Sequence, residues 1–189
     1  VDVVVYATQT SGLAAVRELA LGAPHLRVAL VSCGSLLETP LTQGLSVEDV
    51  RNIDDVSGGF YEEWRRAVIR HYAVRGLRPF TRSGRFVYEP QVAAQILWSY
   101  VRGATAPNVL FYSAKLVAAG DEGDDRYVDV DAEGVGLTRL RTRFFIDASV
   151  EGDLARLLGA DYRIGRAEDH LQAVGCRAQG ELVPFRHHG

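Results

Sequence analysis

With 189 residues, 47% of them hydrophobic, the chain can bury one core of ordinary size. Its 21 basic and 24 acidic side chains give a formal net charge of −3, which excludes a general binder of nucleic acid or of an anionic membrane surface. No apolar run approaches the ~20 residues of a membrane span, and no charged, apolar leader opens the chain.

The expectation is a cytoplasmic protein with neither nucleic-acid nor membrane partners. The chain starts inside a strand and lacks methionine, which reads as a trimmed or processed piece. Cys33 and Cys176 lie far apart and form neither a C-x-x-C pair nor a zinc pattern, so they read as reduced thiols.

Val3, Val4, Val5 and Tyr6 predict a strand buried on both faces. A helix is expected from about Ser11 to Leu21, with Leu13, Val16 and Ala20 on one apolar face and Gly22 and Pro24 ending it. Strand, turn and helix start form the place where nucleotide folds hold a pyrophosphate, because unpaired N–H groups and the positive end of the helix dipole converge there. The fingerprint of such turns is G-x-G-x-x-G. Its glycine positions read Ala7, Gln9 and Gly12 here.

A second buried strand, Leu26 to Ser32, completes a βαβ unit. At its end dinucleotide folds carry an acid for the adenosine ribose. Ser32 stands there, followed by Cys33 and Gly34. A serine bonds a hydroxyl through one oxygen, without the charge that roughly doubles such a bond.

Gly34 to Gly59 is polar and turn-rich, and Thr39 to Leu45 (TPLTQGL) has the look of a functional loop. Phe60 to Tyr72 predicts a helix with Phe60, Trp64, Ala67, Val68 and His71 in one stripe. Glu62, Glu63, Arg65, Arg66 and Arg70 take its wet side. His71 reads as a partly buried histidine at the stripe's edge, with acid–base chemistry as the alternative. Arg75 to Arg85 carries four arginines in a hairpin or loop, either solvated or gathered around an anionic group.

The next helix runs from Glu89 to Val101 with Pro90 in its first turn and Val92, Ile96, Leu97, Tyr100 and Val101 inward. Asn108 to Tyr112 is a buried strand. Leu116 to Ala119, Arg126 to Val130 and Leu137 to Arg143 then predict an antiparallel meander. Phe144 to Ser149 returns to a buried parallel strand, and Glu151 to Leu158 forms a short helix ended by Gly159. The polar tail ends in His187 and His188, without an acid or cysteine at metal-ligand spacing.

Five stretches together carry a resemblance: Asp2–Gly12, Thr42–Leu45, Val56–Trp64, Glu89–Ala93 and Phe144–Ala155. They resemble D-V-V-V-Y-G-x-T-x-A-G, T-x-G-L, I-S-G-G-F-Y-E-E-W, E-P-x-V-A and F-I-D-A-S-x-E-G-D-L-A of the bacterial FAD-dependent oxidoreductase family, flavoproteins with a two-dinucleotide-binding-domain fold. The resemblance covers the chain to about Arg166. It implies an α/β protein: a Rossmann-like FAD-binding fold with a parallel sheet, inserted helices over about 35–103 and an antiparallel three-strand meander. The domain would span 1–166, with 167–189 a polar tail leading to a missing or separate substrate domain.

The resemblance also implies FAD as cofactor. Ala7, Thr8, Gln9, Thr10, Ser11 and Gly12 would lie against its pyrophosphate, and Ser32, Cys33 and Gly34 at its ribose. Thr42 and Gly44 would lie near the isoalloxazine or ribityl chain. Leu116 would meet the adenine through its backbone, and Ala148, Gly152 and Asp153 would close over FAD from the last strand.

Family members run on for hundreds of residues more, so a second polypeptide is expected to complete the substrate side. Two functions follow. One is an FAD-dependent oxidoreductase acting on a small organic substrate, with Glu89, His71 and the Arg78, Arg82 and Arg85 group as substrate-side candidates. The other is a redox-inactive subunit of the same fold, serving as scaffold or partner. The departures at Ala7, Gln9, Ser32 and Glu38-Thr39, the last replacing Gly-Gly, bear on the choice. The sequence assigns no catalytic residue and no metal.

Overall fold

A computed structural model describes residues 1–33, 39–43, 58–102, 106–123 and 125–161. Along the chain run β1 (Val3–Ala7), α1 (Thr10–Gly22), β2 (Val28–Ser32), α2 (Pro40–Gln43), α3 (Gly59–Ala73), α4 (Pro90–Ser99), β3 (Val109–Glu122), β4 (Asp125–Ala132), β5 (Gly136–Thr142), β6 (Phe144–Ala148) and α5 (Asp153–Leu157). The strands form one six-stranded sheet in the order β5-β4-β3-β2-β1-β6. β3, β2, β1 and β6 run parallel, while β4 and β5 fold back antiparallel.

The unbroken apolar run of β1 follows from its place between β2 and β6. Alternate side chains point to opposite faces. Val3, Val5 and Ala7 meet the helix layer, where Leu13 and Val16 of α1, Trp64 and Val68 of α3, and Leu97 of α4 are buried. Val4 and Tyr6 meet the other face, covered by Val128 and Val130 of β4, Leu140 of β5 and Leu154 of α5. Neither face is wet, so neither can be polar.

Three local readings change. Asn108 to Tyr112 and Leu116 to Ala119 are one strand, β3. Val109–Ser113 pairs with β2, and the chain then continues without a turn into pairing with β4 from Ala114. No glycine or proline interrupts Ser113-Ala114-Lys115, so the change of partner needs no break in the strand. The register shifts between Leu116 and Ala118, where Val117 bulges.

β6 lies at the sheet's edge and is half-buried, with Phe144 54% exposed, instead of being enclosed. On α3 the stripe ends on Tyr72, which is buried, while His71 is half-buried beside Arg75. Arg65 is also not simply wet: its guanidinium lies 4.9 Å over the Phe86 ring. Among the described residues no helix is long and apolar enough to cross a membrane.

Candidate functional site: the carboxyl rim of the parallel strands

β1 is followed by α1 on one face of the sheet, while β6 is followed by α5 on the other. The connections part there, and in open α/β sheets the crevice at such a switch point receives the ligand. The two turns are tied together: the Thr8 N–H donates to the Ala148 carbonyl at 3.4 Å, and the Val150 N–H donates to Thr8 Oγ1 at 3.1 Å.

In the first turn Gln9 is the N-cap of α1, in extended conformation at φ −139° and ψ 168°, and its side chain makes no capping bond. Every described non-glycine residue has negative φ, so Ala7 and Gln9 sit in backbone that any side chain can adopt. The demand for glycine falls on Gly12 alone. A Cβ there would lie 2.1 Å from Ala7 Cβ and 3.4 Å from Ala148 Cβ, so the helix start presses directly on β1 and β6. Gly12 N–H turns back to the Gln9 carbonyl at 3.1 Å. The N–H groups of Thr10 and Ser11 find no protein partner among the described residues, and their side chains line a cavity of about 280 Å³ shared with Leu41, Phe60, Tyr61 and Trp64.

The second turn is held by its own side chains. Asp147 Oδ1 accepts from the Ser149 N–H at 2.9 Å and from the Ser149 hydroxyl at 2.6 Å. Its Oδ2 accepts from the Ala155 N–H at 2.8 Å, and Ser149 Oγ accepts from the Asp153 N–H at 2.9 Å. Gly152 takes the left-handed conformation at φ 69°, which glycine adopts without strain. Asp153 opens α5 with its carboxylate uncommitted to any hydrogen bond or ion pair among the described residues. Burial pushes the Tyr6 phenol up, and the charges of Asp153, Cys33 and Asp147 add to the shift in that order. Tyr6 therefore stays protonated at neutral pH, beneath a rim where the ends of β1, β2 and β6 converge.

Ser32 closes β2 with its side chain on the helix face, and it is 1% exposed. Its hydroxyl is buried without a hydrogen-bond partner among the described residues. Cys33 is exposed and free. Together with Ser113, Lys115, Asp131 and Glu133 it lines a second cavity, of about 290 Å³, at the end of β2 and the point where β3 changes partner. Beyond Ser113 the strand β3 keeps a partner on one side only, which leaves one backbone edge near Leu116 open.

Thr42 is buried in α2 with its hydroxyl directed at its own turn: Oγ1 accepts from the Thr39 N–H at 3.1 Å. Gly34 and Gly44 lie outside the described residues, as do Glu38, the tail from Tyr162 and Cys176.

The substrate-side candidates are not brought together at the rim. Glu89 is the N-cap of α4; the Tyr72 hydroxyl donates to its Oε2 at 3.1 Å, and its N–H donates to that hydroxyl at 2.8 Å. Arg78, Arg82 and Arg85 are exposed around a hairpin closed by the Phe80–Phe86 bridge. Two contributors were not legible as such in the sequence: Asp147, whose Asp-x-Ser spacing is the signal of a local turn, and Glu133, whose neighbour Ser113 lies 20 residues away.

The model of the family described as "FAD dependent oxidoreductase" matches residues 2–185, past Arg166 where the motif resemblance ends. None of the curated proteins matches in sequence. Among solved structures, AlpK superposes with TM-score 0.57 at 18% identity, over 87% of this chain and 34% of its own. The p-nitrophenol 4-monooxygenase PnpA from Pseudomonas putida gives 0.54 at 13%, over 87% and 44%. A flavoprotein/dehydrogenase from Cytophaga hutchinsonii gives 0.53 at 15%, over 88% and 44%. At such identities the likeness is one of fold. The chain spans between a third and a half of the length of these structures.

Proposed function

The chain belongs to the FAD-dependent oxidoreductase family, and on that premise we propose that it is the FAD-binding part of an enzyme that moves electrons between flavin and a small organic substrate. Family membership brings FAD as the cofactor. The residues present fit the group. The Gly12 contact with Ala7 brings the start of α1 tight against the strands, and there the N–H groups of Thr10 and Ser11 find no partner among the described residues. That is the observation that carries the reading, because such a helix start welcomes a pyrophosphate whether or not two glycines precede it.

When bound, the flavin supplies the electron transfer, and the protein supplies position and electrostatics. In this reading the α1 N-terminus holds the diphosphate, and the uncommitted Asp153 carboxylate accepts from cofactor hydroxyls at the β6 end. Gln9, whose side chain makes no capping bond, turns outward and leaves the phosphate to the backbone donors. None of Glu89, His71, Arg78, Arg82 and Arg85 lines either cavity described. Groups acting on the substrate are therefore expected from a further polypeptide, in keeping with the partial coverage of the fold relatives.

The test is colour and mass. Protein purified with its natural partners should show a flavin absorption spectrum, and denaturation should release FAD identifiable by mass. If no FAD is bound or taken up, the oxidoreductase reading falls and a redox-inactive scaffold of the same fold takes its place.

A further inference from the structure

The end of β2 poses a problem that the rim itself resolves. A dinucleotide fold places an acid there for the adenosine ribose. Here Ser32 is 1% exposed and its hydroxyl is buried without a hydrogen-bond partner among the described residues. A single neutral hydroxyl buried in this way supplies no carboxylate for a ribose diol, and Cys33 beside it offers only a weak donor and acceptor.

We propose that Glu133, carried on the turn between β4 and β5, supplies the missing carboxylate and binds the two vicinal hydroxyls of the adenosine ribose. This rests on the FAD reading above.

Four observations carry the assignment. The cavity of about 290 Å³ lies at the end of β2 and at the point where β3 changes partner, beside the residue that follows Ser32, and Glu133 lines it. That volume sits near the lower end of the range of ligand pockets, ~300–1,000 Å³, which suits a nucleoside better than a whole dinucleotide.

Glu133 is also doubly fixed to β3: its N–H donates to the Ser113 carbonyl at 2.9 Å, and the Ser113 hydroxyl donates to its Oε2 at 3.1 Å. The turn that delivers it is tight. Val135 N–H closes on the Ala132 carbonyl at 3.0 Å, and Gly134 and Gly136 take φ 74° and 87°. Finally, Glu133 Oε1 has no protein partner among the described residues. An ionised carboxylate only accepts, and a ribose diol presents two donors, so the two are complementary. Asp131, the other acid of the cavity, has Lys115 as its ladder partner across the β3–β4 pair, so the two acids differ in their nearest backbone neighbours.

The assignment predicts a sign that general electrostatics does not. Removing a negative charge beside a phosphate-bearing ligand should tighten binding everywhere. Removing the diol's acceptor should weaken binding only for ligands that have the diol. Isothermal titration of the full chain with ADP and with 2′-deoxy-ADP separates the two, alongside a titration with FAD.

Wild-type protein should prefer ADP over 2′-deoxy-ADP by roughly tenfold. Glu133→Gln should lose that preference by weakening ADP alone, with FAD weakened in parallel. Glu133→Asp should fall between, and Asp131→Asn should keep the preference. The proposal is overturned if Glu133→Gln keeps the preference, weakens both nucleotides alike or tightens them. It is also overturned if Asp131→Asn is the variant that abolishes the preference. Wild-type protein that binds neither FAD nor ADP contradicts the FAD reading itself; wild-type protein that binds FAD while Glu133→Gln behaves identically contradicts only the role of Glu133.

Discussion

The turn after β1 and the turn after β6 lie side by side, joined through Thr8 to Ala148 and Val150, and they use their polar groups in opposite ways. The second turn satisfies itself: Asp147 accepts from Ser149 twice and from Ala155 once, and Ser149 in turn accepts from Asp153. The first turn is held by packing, with Gly12 pressed on Ala7, and its N-cap side chain makes no bond. A turn that spends its own side chains on its backbone has nothing left for an anion. A turn held by packing keeps its donors free, and that contrast is why we propose the pyrophosphate site at α1 and not at α5.

The largest expected effect breaks the packed turn. Gly12→Ala places a methyl 2.1 Å from Ala7 Cβ, so it should cost about 3 kcal/mol, the upper end of overpacking costs, and Gly12→Val more. Denaturant midpoints measure both. Ala7→Gly should recover part of the loss in Gly12→Ala but not all of it, because Ala7 Cα would still lie 3.3 Å from the new methyl. A Gly12→Ala protein as stable as wild type would refute the packing account.

Next comes the self-satisfied turn. Asp147→Ala removes an acceptor used by two backbone N–H groups and a hydroxyl, and should cost about 2 kcal/mol. Gln9→Ala, the matching change in the first turn, should stay within about 0.5 kcal/mol because its side chain caps nothing. Equal losses for Asp147→Ala and Gln9→Ala would erase the contrast between the turns.

The smallest effect lies on the exposed meander. The Arg139 side chain, bonding Asp129 through 2.7 Å contacts, holds that carboxyl below its ordinary range. A depressed folded pKa gives stability that is present above the unfolded value and lost as pH falls through the folded one. Below about pH 4 the wild-type protein should therefore lose a few tenths of a kcal/mol that Asp129→Asn lacks throughout. Melting curves for the two across pH 3–7 should converge at the acid end; a constant gap would contradict it.

What the sequence disclosed follows from where each signal lives. The valine run of β1 and the spacing of Leu13, Val16 and Ala20 are local patterns, and they mark buried elements that the structure contains. Gly12 was legible because close approach demands the absence of a Cβ. The continuity of β3 was not, because a strand that changes partners at Ala114 carries no turn residue to mark the change.

His71 is half-buried at the edge of the α3 stripe as expected, but the buried Tyr72 beside it went unread, because its hydroxyl bonds Glu89, a partner 17 residues away. Ser32 was expected to stand in for the ribose-binding acid at the strand end, yet the strand's alternation turns it inward with Val28 and Leu30. Each miss concerns a contact made across the fold rather than along the chain.

The central claim is that backbone donors at the start of α1, and not the Gln9 side chain, hold the cofactor's pyrophosphate. Titration of FAD into wild-type protein and into Gln9→Gly, followed by flavin fluorescence with every partner chain present, tests it most directly. The account predicts an affinity equal to wild type or tighter, since glycine allows closer backbone approach. A loss of about tenfold, or ~1.4 kcal/mol, would make Gln9 a ligand in its own right and contradict the account.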